Sequence, residues 1–163
     1  MKTLRIATFT TLLLAGLSLF AQSNGQRSFD AMKQLDGTWV GKTAQGEPVE
    51  VSYRMTANGS SLMSEIHEQH GDMITMIHMD GGRLLLTHYC SAGNQPRMQA
   101  SASPDGKTIT FDFVDSTNLA SPDAGHMHRV VFIFVDANHH TEEWQFQDHG
   151  KQMVERFELQ KKS

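Results

Sequence analysis

Hydrophobic and polar residues alternate with a period of two along most of the chain after Trp39. In the stretch "EPVEVSYRMT", one face carries only apolar or aromatic side chains: Val49, Val51, Tyr53 and Met55. This period is typical of half-buried β-strands, and the stretch ends at Asn58-Gly59, a strong hairpin signal. The same alternation between turn signals recurs to the end of the chain and predicts about ten strands with no helix between them.

The predicted turns are short and rich in Gly, Asp, Asn and Pro: Asp80-Gly81-Gly82, Pro104-Asp105-Gly106, Asp136-Ala137-Asn138 and Asp148-His149-Gly150. Short turns join antiparallel neighbours, because parallel strands need long crossovers. An open meander would leave two long edges, and closure into a barrel removes them. We therefore predict an all-β fold, an antiparallel up-and-down β-barrel of about ten strands, with a two-sheet sandwich as the alternative.

The segment "SFDAMKQLDGTWVG" precedes the first strand and has a helical pattern. Phe29, Met32 and Leu35 fall at helical spacing, and Asp36-Gly37 is a typical helix end because glycine tolerates a left-handed conformation. We predict a short N-terminal helix that closes one end of the barrel.

The first residues have the pattern of a secretory signal peptide. Lys2 and Arg5 precede the apolar run "IATFTTLLLAGLSLFA", and small or polar residues follow it. We predict a signal peptide over 1–23, with cleavage after Ala21 or Ser23, and a single secreted or periplasmic domain over 24–163. An uncleaved anchor is the alternative, although the run is shorter than the ~20 residues of a spanning helix. No membrane span is expected after cleavage.

Charge and cysteine content narrow the classes of function. The formal net charge is −4, the pI is near 6.1 and no basic cluster is present, so the sequence gives no reason to expect a nucleic-acid partner. Cys90 is the sole cysteine, so the chain forms no internal disulfide. The oligomeric state is left open.

A short helix, the sequence "GTWVG" and a meander together resemble the calycin superfamily of lipocalins and fatty-acid-binding proteins. The motif is most similar to that of nitrobindin-like haem-binding barrels, Gly-x-Trp-x-Gly-x-Gly, in which Gly37, Trp39 and Gly41 match and Thr43 replaces the last glycine. The resemblance implies a roughly ten-stranded barrel and a haem ligated by a histidine near the C-terminal end. The final strand from Lys151 onward has no histidine, and His149 lies in the preceding turn.

Strand alternation assigns several unusual side chains to the barrel interior. The four inward faces are predicted as Ile74/Met76/His78, Leu84/Leu86/His88/Cys90, His126/His128/Val130/Phe132/Phe134 and His140/Glu142/Trp144/Phe146. In this interpretation one barrel end is apolar and the histidines, Cys90 and Glu142 gather at the other. Asn94, Gln95 and Arg97 are expected at the rim.

We expect this polar end to hold a small, largely apolar ligand. The candidate ligand-binding residues are His78, His88, Cys90, Asn94, Arg97, His126, His128, Phe132 and Trp144. Taken singly, a buried histidine is more often a hydrogen-bonded core residue, and Cys90 a small hydrophobe.

Two other functions remain open at this point. His126-x-His128 has a spacing that suits two ligands of one metal. A third ligand could come from His88, His78 or His140, with His88 the first candidate, which allows a metal- or haem-dependent enzyme. The cofactor is not specified, and haem and a divalent metal are both compatible. A barrel filled by its own side chains would instead be a structural or interaction protein of the envelope.

Overall fold

A computed structural model describes residues 22–68 and 71–163. Most of the predicted signal peptide, residues 1–21, lies outside the described residues. The elements are one helix, a 3-10 turn over Lys33–Leu35, a second 3-10 turn over Ala57–Gly59, and ten strands. They are α1 (Asn24–Met32), β1 (Gly37–Lys42), β2 (Pro48–Thr56), β3 (Ser61–Glu68), β4 (Gly71–Asp80), β5 (Arg83–Tyr89), β6 (Gln95–Ala102), β7 (Thr108–Thr117), β8 (His126–Phe134), β9 (His139–Asp148) and β10 (Lys151–Lys161).

The ten strands form one closed antiparallel barrel, as the turn pattern predicts. Each strand pairs with its neighbours in sequence, and β1 pairs with β10 to close the sheet. Gly41 permits this closure, because a Cβ there would stand 2.0 Å from the carbonyl oxygen of Glu158 on β10. Within the described part of the chain, no helix is both long enough and apolar enough to cross a bilayer.

The helix closes one end of the barrel. Phe29, Met32 and Leu35 are buried, which confirms the predicted apolar face. The indole Nε1–H of Trp39 donates to the carbonyl oxygen of Leu35 at 2.6 Å and fixes the helix end onto β1. A Cβ at Gly25 would stand 2.3 Å from the carbonyl oxygen of Gly82, so α1 can lie this close to the β4–β5 turn because residue 25 is glycine.

Ser23 begins the helix. Its Oγ accepts a hydrogen bond from the backbone N–H of Gln26 at 3.1 Å, and its carbonyl oxygen accepts from Arg27 N–H at 3.1 Å. A serine at this position satisfies a donor that the first helical turn leaves free. Of the two predicted cleavage positions, the one after Ala21 keeps this cap and the one after Ser23 removes it.

Because the strands alternate in direction, the connections fall at two ends of the barrel. The helix end carries α1 and the turns that follow β2, β4, β6 and β8. The loop end carries the connections that follow β1, β3, β5, β7 and β9. At the loop end two ladders stop early: β5–β6 pairing ends at Thr87↔Arg97, and β7–β8 pairing ends at Asp112↔Arg129 although β7 continues to Thr117.

Candidate functional site

A row of polar side chains crosses four adjacent strands inside the barrel. Tyr53, Ser64, Thr75 and His88 are buried, and each lies directly opposite the next in the strand register. Residues directly opposite each other on one face of antiparallel strands are close enough to interact. With Glu142 and Trp144 on β9, which contact the two ends of this row, they form a polar belt around the lumen.

Glu142 closes the belt on the side of Tyr53. This side chain is fully buried, and the Tyr53 hydroxyl donates to its Oε1. The Trp144 Nε1–H donates to Oε2 at 2.8 Å, and His140 Nε2 lies 3.1 Å from Oε1. Burial, and then the Glu142 carboxylate, raise the pKa of Tyr53 well above its ordinary value, so the phenol stays protonated and keeps donating.

His88 closes the belt on the other side. Its Nδ1 lies 2.9 Å from Thr75 Oγ1, and its ring centroid lies 4.8 Å from that of Trp144. Burial lowers the pKa of His88 from 6.5 to about 4, because desolvation penalises the charged imidazolium. At neutral pH the ring is therefore uncharged, and its buried Nε2 has no hydrogen-bond partner among the described residues.

Ser64 is the second incomplete member of the belt. Its hydroxyl lies close enough to Tyr53 to lower the pKa of the phenol, although the two groups do not have the geometry of a hydrogen bond. Among the described residues, Ser64 Oγ has no hydrogen-bond partner. Buried polar atoms are almost always paired with protein, water or ligand. The belt thus contains two buried polar atoms without a hydrogen-bond partner among the described residues, Ser64 Oγ and His88 Nε2.

A second polar group lies at the loop end, where the β7–β8 ladder has stopped. His126 Nε2 lies 3.2 Å from His128 Nδ1, and we call these two residues the histidine pair. The Phe113 ring is tilted against the His126 imidazole, with centroids 4.6 Å apart, and stacks on the His128 imidazole, with centroids 5.2 Å apart. Burial, and then His126, lower the pKa of His128. His126-x-His128 therefore does bring two imidazoles together, although through a β-bulge at His128 and not through regular strand alternation.

The structure corrects the predicted direction of three site residues. On β4 the buried face is Met73, Thr75 and Ile77, so His78 points away from the lumen. Both faces of this strand are apolar in sequence, so alternation alone did not determine which one is buried. Cys90 follows the end of β5 and is half-buried in the loop, not on the inner face.

Arg97 is the third correction. It lies on the outer face of β6 and pairs with Asp115 through two contacts, Nε–Oδ1 at 2.6 Å and Nη2–Oδ2 at 2.5 Å. Both side chains are about half exposed. Asn94, by contrast, is buried at the loop end and donates from Nδ2 to the Gly125 carbonyl oxygen at 2.8 Å.

The predicted gathering of all histidines at one end is wrong. His88 and the histidine pair lie toward the loop end, whereas His140 lies toward the helix end, with its ring 4.3 Å from that of Trp39. The reason is strand direction: His126 is the first residue of β8 and His140 the second of β9, and consecutive antiparallel strands begin at opposite ends. The inward placement of His88, Phe132, His140, Glu142 and Trp144 is confirmed.

Sequence reasoning missed Ser64 and Thr75, and it placed Tyr53 on an inner face without a role. A signal for them exists in the hairpin spacing. Tyr53 and Ser64 are equally far from the Asn58-Gly59 turn, and Thr75 and His88 are equally far from Gly81-Gly82. Residues equidistant from a hairpin turn lie opposite each other, so the polar row can be read from the turns once they are known.

The described residues do not form the three-ligand metal site that the sequence suggested. Within residues 22–68 and 71–163, no three His, Cys, Asp or Glu side chains converge in a way that could hold a metal ion. His88 therefore does not join the histidine pair. β10 has no histidine, and His149, in the turn before β10, is exposed. Its Nδ1 lies 2.7 Å from Asp148 Oδ1. His149 in this position does not fit the haem ligand that nitrobindin-like barrels imply.

Comparison with known proteins supports the fold. No protein-family model and no curated protein matches the chain. The solved structure of Rv2717c from M. tuberculosis is similar at a TM-score of 0.55 and 14% identity, over 83% of this chain and 98% of that one. A protein of unknown function from the DUF3598 family of Nostoc punctiforme is similar at a TM-score of 0.52 and 8% identity. That match covers 81% of this chain and 49% of the other, so this chain spans about half its length. At these identities the likeness concerns the fold alone, a closed antiparallel barrel.

Proposed function

We propose that this protein is an exported barrel that binds a small, largely apolar ligand in its lumen, with the ligand's polar group against the polar belt. The observation that carries the proposal is the pair of buried, unpartnered atoms on one continuous belt, Ser64 Oγ and His88 Nε2. A few convergent polar groups on an otherwise apolar wall are typical of small-molecule sites. The apolar contact surface comes from Leu86, Met98, Phe132 and the Trp144 ring.

The charges of the lumen select an uncharged polar group on the ligand. Among the described residues, the buried polar set contains no lysine or arginine, and it contains the Glu142 carboxylate. His88 is neutral at pH 7 because its pKa is about 4. A carboxylate head would be buried on the same belt as the Glu142 carboxylate with no lysine or arginine to pair it, which is costly. A hydroxyl or carbonyl group needs only hydrogen bonds, and His88 Nε2 and Ser64 Oγ are the unpartnered belt atoms that could form them.

Access is proposed at the loop end. The helix end is covered by Phe29, Met32 and Leu35, whereas the β7–β8 ladder stops at Asp112↔Arg129. The histidine pair and Phe113 lie at this opening, so a ligand would pass them before it reaches His88 and Trp144.

Retinol and retinoate are a matched pair of probes, because they share the apolar body and differ in a hydroxyl against a carboxylate. In a fluorescence titration we expect retinol to bind more tightly than retinoate. His88→Phe should weaken retinol binding about tenfold, the value of one hydrogen bond in this setting. His67→Asn is the control, since His67 is exposed on β3 and pairs with Asp72 on the barrel surface. Tighter retinoate binding, or retinol binding that His88→Phe does not change, would contradict the proposed belt.

The natural ligand is addressed by native mass spectrometry of protein purified from its own host. A bound neutral molecule with a large apolar body supports the proposal. Protein that is empty and also fails to bind retinol, retinoate, a fatty acid or a tetrapyrrole contradicts it. The same preparation gives the mature N-terminus, which we expect at Gln22, and its recovery from the culture medium or periplasm tests the proposed export.

A filled barrel acting as an interaction protein of the envelope is the second candidate. It is favoured by the number of large side chains that are fully buried, among them Trp39, Phe111, Phe132 and Met98. A barrel filled in this way would bind none of the probes. The enzyme hypothesis has less support, since the described residues bring no three metal ligands together.

A further inference from the structure

The histidine pair has the geometry of two ligands of one metal ion. Its two facing nitrogens, His126 Nε2 and His128 Nδ1, are 3.2 Å apart. A zinc ion bound to imidazole nitrogens at about 2.0–2.1 Å with a tetrahedral angle holds them about 3.3 Å apart. The distance between His126 Nε2 and His128 Nδ1, which their hydrogen bond sets, is therefore close to the distance that two nitrogen ligands of one metal ion require.

The surroundings of His126 orient its nitrogen toward the partner. His126 Nδ1 lies 2.7 Å from the Ala124 carbonyl oxygen, so Nδ1 carries the proton and donates it. The tautomer leaves a lone pair on Nε2, the nitrogen that faces His128. Metal-binding histidines usually donate their second ring N–H to a carbonyl or carboxylate in this way.

Three further features of the structure hold the pair in place. Asn94 Nδ2 donates to the Gly125 carbonyl oxygen, directly before His126. A β-bulge between Met127 and Arg129 adds an unpaired residue, His128, to β8, and bulges redirect side chains in this manner. The Phe113 ring stacks on the His128 imidazole, contacts the tilted His126 imidazole and limits the rotation of both.

We propose that the histidine pair binds one late divalent transition-metal ion, Cu²⁺ most tightly and Zn²⁺ next, at the loop end of the barrel. Imidazole nitrogen suits these ions, and the Irving–Williams order places copper first. On binding, the N–H···N hydrogen bond is replaced by two metal–nitrogen bonds, and the His128 proton moves from Nδ1 to Nε2. Water completes the coordination, because the described residues supply no third His, Cys, Asp or Glu.

Zinc titration of the tag-free mature protein by calorimetry is the test. We expect one zinc site in the wild type and at least a tenfold weaker affinity in both His126→Asn and His128→Asn, since even outer-shell changes cost 10- to 100-fold. His67→Asn and His139→Asn are matched controls, because each of these exposed histidines lies 2.9 Å from an aspartate and is a competing surface site. Unchanged zinc affinity in both pair variants, or its loss in a control, would overturn the proposal.

A second measurement does not depend on folding of the variants. Substoichiometric Cu²⁺ added to the wild type should broaden the imidazole proton signals of His126 and His128 before those of the other histidines. Broadening that begins at His67, His139 or His149 would contradict the assignment. Retinol binding is measured separately, so the ligand-binding proposal can fail while metal binding by the histidine pair is confirmed. The metal proposal can likewise fail while retinol binding is confirmed.

Discussion

The two ends of the barrel are closed in different ways. At the helix end, Phe29, Met32 and Leu35 are almost completely buried beneath α1, and Trp39 ties the helix to β1. At the loop end, the β7–β8 ladder stops early and the space is occupied by the histidine pair and Phe113. The helix end is an apolar core, and its residues contribute mainly to stability. The loop end is polar and less completely paired, and we expect its residues to contribute mainly to binding.

The largest expected effect is at the helix end. Trp39→Ala removes a 1% exposed indole and its hydrogen bond to Leu35, so the free energy of unfolding should fall by about 3–5 kcal/mol. Urea unfolding followed by circular dichroism measures this loss. A loss below about 1 kcal/mol would mean that the helix end is not a tightly packed core.

Glu142 tests whether the polar belt is part of the folded core as well as a binding surface. Glu142→Leu keeps the volume but leaves the Tyr53, Trp144 and His140 donors without their acceptor. We expect a loss of about 3 kcal/mol, because buried donors without a partner are costly. Glu158→Leu on β10 is the matched control, since Glu158 is exposed and should change stability by about 0.5 kcal/mol or less. Equal losses of stability in the two variants would mean that Glu142 is not part of the packed core.

His88 gives the belt a dependence on pH. Its pKa in the folded state is about 4 against an ordinary 6.5, so between these values the unfolded chain binds the proton more readily. Stability attributable to His88 is therefore complete above pH 6.5 and is lost as the pH falls toward 4, by about 3 kcal/mol in total. The difference between the wild type and His88→Gln, from urea unfolding across this range, isolates the effect. A difference that does not change with pH would show that His88 is not buried as a neutral ring.

At the helix end, loss of the Ser23 cap should lower the free energy of unfolding by a smaller amount. Ser23→Ala removes the acceptor for the Gln26 N–H and should lower stability by about 1 kcal/mol. A chain that starts at Asn24 should lose a similar amount compared with one that starts at Gln22. If thermal melts of the two lengths coincide, the cap has no measurable value and the cleavage position has no consequence for stability.

The smallest effect is expected at Arg97. This residue forms a half-exposed pair with Asp115 on the outer wall, so Arg97→Ala should change stability little, because water screens a surface ion pair. Retinol binding should be unchanged, because the side chain does not face the lumen. A clear loss of retinol binding in this variant would mean that Arg97 lies at the pocket rim, as the sequence predicts.

The fold was predictable from sequence because its signals are local. Each hairpin carries its own turn residues, such as Asn58-Gly59 with positive φ at both positions, and the helix ends at Asp36-Gly37. The site was less predictable because its geometry depends on facts that no single strand contains. The buried face of β4 is set by packing, the bulge in β8 changes the direction of His128, and the barrel end on which a histidine lies depends on strand order.

The closing ladder also has a consequence for how the chain folds. The ladders between sequence neighbours bring together strands joined by short connections, whereas β1–β10 pairing joins Trp39 with Lys161 across almost the whole domain. Contacts between residues far apart in sequence are slow to form, because loop closure has a large entropic cost before they are made. We therefore expect the hairpins that carry Tyr53, Ser64, Thr75 and His88 to assemble first, and the Tyr53–Glu142 contact to form only when the barrel closes. Until that step the lumen is an open groove, and a ligand that is present during folding can enter it from the side.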